Sequence, residues 1–120
     1  MVQDVTLYGI ANCDKVRAAR IWLAQHGIEA GFHDFKKHGV TPALLAGWLK
    51  QLDWTELVNR KGTTWKQLPQ ARRDGLTSAA AASALMLDKP SVIKRPVLDL
   101  DGKLHLGFDA DSYSNLFGKT

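Results

Sequence analysis

The chain has 120 residues, 45% of them hydrophobic and 23% charged, with a formal net charge of +4. That length and balance fit one globular domain with its own core and exclude a disordered chain. A single cysteine excludes an intramolecular disulfide, and no apolar run approaches the ~20 residues that span a bilayer. The start, Met1 to Thr6, lacks the basic and apolar blocks of a signal peptide, so the expected location is cytoplasmic. The basic residues fall in scattered pairs (Lys36-Lys37, Arg60-Lys61, Arg72-Arg73, Lys94-Arg95) without interleaved aromatics. Solvated surface accounts for most of them, and a small anionic ligand suits this charge better than a nucleic acid does.

Val5-Thr6-Leu7-Tyr8 reads as a first strand. Residues 14–26 read as an amphipathic helix with Val16, Ala19, Leu23 and either Ile21 or Trp22 inward, stopped at His26-Gly27. Ala30 to Phe35 alternates and reads as a second strand, and a helix-length crossover makes the pair parallel. Thr41-Pro42 opens a helix, with Thr as cap and Pro at its first position, and Leu44, Leu45, Trp48, Leu49 and Leu52 form its apolar stripe. A short helix over Trp54 to Val58 follows, then a loop into another short helix within 60–68. Thr77 or Ser78 caps an Ala-rich helix that ends at Asp88-Lys89-Pro90. Val97 to Leu100 and Lys103 to Gly107 flank Asp101-Gly102, a two-residue hairpin turn, and Phe108 to Phe117 reads as a last helix with Asp109 as its cap. The order is βαβ, a helical block, then ββα. Without the block this is a thioredoxin-like core. The fold expectation is α/β: a mixed four-stranded sheet from about 1–36 and 91–120, with a helical insertion over about 40–89, in a single domain.

Cys13 falls where the first strand hands over to the first helix. A thiol at a helix N-terminus faces unpaired amide groups and the positive end of the helix dipole, and both favour the nucleophilic thiolate. A cysteine packed as a small hydrophobe is the competing reading. The polar neighbours Asn12, Asp14, Lys15 and Arg17 argue for a thiol near the surface, and Asp14 opposes its ionisation. Asn12 is expected to cap the helix rather than bind a ligand. Arg17, one turn on, holds the loop or assists an anion. His26, His33, His38 and His105 show no metal-ligand spacing, so no metal is expected.

Four segments, in order along the chain, resemble the ArsC and Spx family of thioredoxin-like proteins. They are T-L-Y-x(4)-C-x(3)-R-x-A-R at 6–20, Leu57-Val58-Asn59-Arg60-Lys61-Gly62, Ile93-Lys94-Arg95-Pro96 and Leu106-Gly107-Phe108. The start, Y-G-I-x-N-C-D, and Lys61-Gly62-Thr63-Thr64-Trp65 are most similar to the YffB subgroup, which implies glutathione as co-substrate. The resemblance makes Cys13 the nucleophile and Arg60 and Arg95 the anion-binding pair. It also implies a cis proline at Pro96 beside the thiol, with Asn12, Arg17 and Pro96 completing the binding set and Trp65 at its edge. Three departures stand out. Val16 replaces the second cysteine of the C-x-x-C switch, Gly9 stands where arsenate reductases carry a histidine, and Phe108 stands where they carry a third basic residue. A lone thiol must borrow its resolving thiol, so the expected cycle is attack by Cys13 on an oxidised or glutathionylated substrate, followed by resolution by glutathione. The alternatives are an arsenate reductase proper and an Spx-like regulator that binds RNA polymerase.

Overall fold

The computed structural model describes residues 4–119; residues 1–3 and 120, the outermost of the expected domain, lie outside the described residues. In chain order the elements are β1 (Val5–Gly9), α1 (Asp14–Gln25), β2 (Gly31–Asp34), α2 (Phe35–His38), α3 (Pro42–Leu49), α4 (Trp54–Leu57), α5 (Thr63–Lys66), α6 (Gln70–Asp74), α7 (Ala79–Asp88), a 3-10 turn (Pro90–Val92), β3 (Val97–Leu100), β4 (Lys103–Leu106) and α8 (Ala110–Phe117). They fall into two compact units, Met1–Lys37 with Arg95–Thr120, and His38–Lys94. Among the described residues, no helix is long and apolar enough to cross a membrane.

The first unit holds a mixed four-stranded sheet in the order β2-β1-β3-β4. β1 runs parallel to β2 and antiparallel to β3, and β3 pairs antiparallel with β4. This is the α/β, thioredoxin-like arrangement that the sequence order implies, with the helices α2–α7 entering between β2 and β3. The register places Leu7 between Phe32 and Leu98, so one face of the sheet is apolar. Val5, Leu7 and Leu98 pack there with Val16, Ala19, Trp22 and Leu23 of α1 and Tyr113 of α8. Each such aliphatic side chain contributes roughly 1.5–3 kcal/mol by leaving water. The choice between Ile21 and Trp22 is resolved by that face: Trp22 is buried and meets Tyr113 edge-on at 5.5 Å, while Ile21 is 57% exposed.

The turn chemistry behaves as its residues require. Asp101 and Gly102 both have positive φ, 51° and 90°, which the two-residue hairpin needs, and the Asp99 carboxylate accepts the Gly102 amide at 2.8 Å. The second strand is shorter than its alternation suggests. It ends at Asp34, whose carboxylate accepts the Lys36 amide at 2.8 Å and turns the chain so that Phe35 begins α2.

The second unit is helical. Thr41, Asp53 and Ser78 cap α3, α4 and α7 through side-chain oxygens that accept the amides of Leu44, Thr55 and Ala81. Leu45, Trp48, Leu57, Ala82, Leu85 and Met86 are buried. A short bridge, Val58 to Ile93, fastens α4 to the segment after the 3-10 turn, with the Asn59 amide on the Val92 carbonyl at 2.8 Å and the Lys94 amide on the Leu57 carbonyl at 2.7 Å.

Candidate active site

Strand register builds the site. Tyr8 of β1 pairs with Val97 of β3, so the residues just before Val97 come beside the end of β1, where the chain runs on to Cys13. The Arg95–Pro96 peptide is cis. Gly9 ends β1 against α1, and a Cβ there would stand 2.7 Å from a methyl of Val16, which is wholly buried. No larger side chain fits at position 9 without moving Val16.

Cys13 is the N-cap residue of α1, with extended backbone, and its carbonyl accepts the Arg17 amide at 2.9 Å. The helix is therefore capped by the cysteine itself, not by Asn12 as its residue type suggests. The sulfur makes no cap hydrogen bond of ordinary geometry. It is half-buried and free. Burial, the largest single influence, pushes the thiol pKa up. The Val16 amide, the Arg95 guanidinium through both a hydrogen bond and its charge, and the Lys15 amide together outweigh burial, and the thiol titrates below its ordinary value. Arg95 thus lies within hydrogen-bond reach of the Cys13 sulfur, as the family resemblance implies.

Asn12 and Arg17 hold each other. Arg17 Nη1 donates to Asn12 Oδ1 at 3.0 Å, and Arg17 Nη2 pairs with the Asp14 carboxylate. The Asp14 side chain is 95% exposed, and its charge is not among the influences that set the Cys13 pKa.

Arg60 belongs to the helical unit. Its guanidinium lies 5.5 Å from the Trp65 ring centre and 6.0 Å from that of Trp54. The sequence singles out Trp65 but misses Trp54, because the two rings reach Arg60 from separate short helices with no shared period. Stacked guanidinium keeps its edge donors available for a carboxylate or oxyanion. Among the described residues, no group of three or more His, Cys, Asp or Glu side chains converges as a metal cage. A groove of about 210 Å³ in the first unit is lined by residues including Leu7, Leu23, Ile28, Phe32 and Arg20, and Cys13 is not among them.

Comparison with known proteins identifies the family and the fold. The ArsC family model matches residues 8–116. An uncharacterized protein of Haemophilus influenzae is 39% identical over 94% of this chain and 98% of its own. The solved YFFB (PA3664) protein is 40% identical and superposes with a TM-score of 0.87 over 92% of this chain and 96% of that one. An arsenate reductase (ArsC) related protein from Brucella melitensis is 49% identical, with a TM-score of 0.76 over 95% and 94% of the two chains. A match that runs from β1 into α8, through the thiol and both arginine segments, makes this chain a member of the ArsC family.

Proposed function

We propose that this protein is a glutathione-dependent thiol–disulfide oxidoreductase with Cys13 as its nucleophile. The observation that carries the reading is the sulfur itself, at the start of α1 with the Arg95 guanidinium on it and a pKa lowered in consequence. Family membership supports oxidoreductase chemistry of the arsenate-reductase kind.

In the first step the Cys13 thiolate attacks the glutathione sulfur of a glutathionylated substrate. A Cys13–glutathione disulfide forms, the substrate's own S–S bond breaks, and the substrate leaves as thiolate. In the second step the thiolate of a free glutathione attacks the glutathione sulfur of that mixed disulfide. Oxidised glutathione leaves and the Cys13 thiolate is restored, so each turn consumes one free glutathione and exchanges the substrate's disulfide for that of oxidised glutathione. Arg95 stabilises the thiolate at the start and end of the cycle, and Pro96, next in the chain, is buried. Arg60, whose guanidinium lies over the Trp65 and Trp54 rings, offers an anion-binding fork within the helical unit. Asn12 and Arg17 act on the loop rather than on the ligand. Gly9 disfavours an arsenate reductase proper, since the end of β1 has no room for a histidine beside Val16.

The test is intact-mass analysis after exposure to oxidised glutathione, followed by turnover of a glutathionylated peptide with reduced glutathione. The expected result is one glutathionyl adduct per chain, none in Cys13→Ser, and turnover that requires Cys13. A wild-type protein that forms no adduct overturns the proposal, and co-purification with RNA polymerase would then favour the regulator reading.

A further inference from the structure

One guanidinium grips both sequence neighbours of the nucleophile. The Nη1 end of Arg17 donates to Asn12 Oδ1 at 3.0 Å, its Nη2 end pairs with the Asp14 carboxylate, and its amide donates to the Cys13 carbonyl at 2.9 Å. Arg17 therefore touches residues 12, 13 and 14, and none of these contacts is to the sulfur. We propose that Arg17 is a positioning residue, a clasp that closes the loop around Cys13 and cancels the Asp14 charge next to the reacting sulfur.

The chemistry of the three residues explains why the clasp needs arginine. Asp14 opens α1, where a carboxylate favours the helix dipole but disfavours a neighbouring thiolate. The planar fork of arginine can bind a carboxylate at one end and an amide oxygen at the other at once, which the point charge of a lysine cannot. The Asp14 and Arg17 side chains are 95% and 51% exposed, so the pair adds little to global stability and its effect is local. Among charged side chains in this unit, Arg95 ahead of β3 acts on the sulfur directly; Asp14 and Arg17 stand within about one turn of Cys13 on α1, and the exposed Lys15 contributes its amide. The apolar cluster behind Cys13 includes one titratable group, Tyr113, which burial keeps neutral.

This inference rests on the nucleophilic reading of Cys13, and its test separates the two. The rate of iodoacetamide alkylation is followed against pH for the wild type, Arg17→Gln, Asp14→Asn and the double variant, with thermal melts to check folding. Arg17→Gln should raise the alkylation midpoint by about half a pH unit, the order of one unpaired charge acting through water within a helical turn. The double variant should return it to within a tenth or two of a unit of wild type. Asp14→Asn alone, which leaves Arg17 uncancelled, should lower it. An unmoved midpoint in both single variants, or a shift in Arg17→Gln that Asp14→Asn fails to reverse, overturns the clasp while the nucleophile stands. If Arg17→Gln does not fold, an unmoved midpoint in Asp14→Asn overturns it alone. A wild-type thiol that is inert, or titrates above the free value of about 8.5, overturns the nucleophilic reading itself.

Discussion

Replacing Arg95 by glutamine tests the largest side-chain contribution to the reactivity of Cys13. The guanidinium acts on the sulfur twice, as a hydrogen-bond donor and as a charge. A hydrogen bond to a charged group is worth roughly 1.5–3 kcal/mol. The thiol is only half-buried, so solvent screening places the effect at the lower end. At about 1.4 kcal/mol per pKa unit, the midpoint should rise by about one unit. Well below both midpoints the thiolate population then falls about tenfold, but the more basic thiolate is also the better nucleophile, with a Brønsted slope of about 0.4–0.5. The alkylation rate at fixed pH should therefore drop only about threefold, and the midpoint, not the rate, is the quantity to read. Glutamine keeps a donor and most of the side-chain length, which limits repacking ahead of β3. A midpoint that stays within a tenth or two of a unit of wild type in the folded variant would refute the electrostatic role of Arg95 and return it to a structural one.

Gly9→Ala should destabilise the fold by about 1–3 kcal/mol, read as a lower urea midpoint, because its Cβ would stand 2.7 Å from the buried Val16 methyl. Ser78→Ala should cost about 1 kcal/mol through loss of the cap on the Ala81 amide, seen as a lower Tm with mixed-disulfide formation unchanged. Burial raises the pKa of Tyr113, so it contributes stability that is complete below the unfolded tyrosine value of about 10 and is lost as pH rises above it. Tyr113→Phe should therefore match wild type near pH 7 and unfold less readily above pH ~10. A variant as alkali-sensitive as wild type would locate the alkaline transition elsewhere.

Much of the fold is legible because local chemistry and the global pattern agree. Thr41-Pro42, Ser78 and Asp109 cap the helices their types suggest, and Asp101-Gly102 makes its hairpin. Tertiary context decides the rest. β2 stops one residue early because Asp34 turns its carboxylate onto the Lys36 amide, a local bond that alternation cannot reveal. α6, a helix of five residues after Pro69, carries no buried stripe and so no period to read. Within the site, the thiol at a strand-to-helix junction is visible from residue order, and Arg95 beside it only through the family resemblance. Asn12 is the instructive miss. An asparagine before a helix reads as a cap, but an arginine five positions on offers its side chain a charge-assisted partner, and the cysteine is left at the cap position.

The pH at which native Cys13 ionises is the measurement on which the account rests. Thiolate absorbance of the wild type, with Cys13→Ser as blank, reports it without any added reagent. The expected midpoint lies below the free cysteine value of about 8.5. Because that folded-state pKa is depressed, folding stability should also rise with pH between this midpoint and the free value, and the rise should vanish in Cys13→Ser. A midpoint above the free value, or a thiol that does not ionise until the protein unfolds, would show Cys13 to be a packing residue and contradict the catalytic reading.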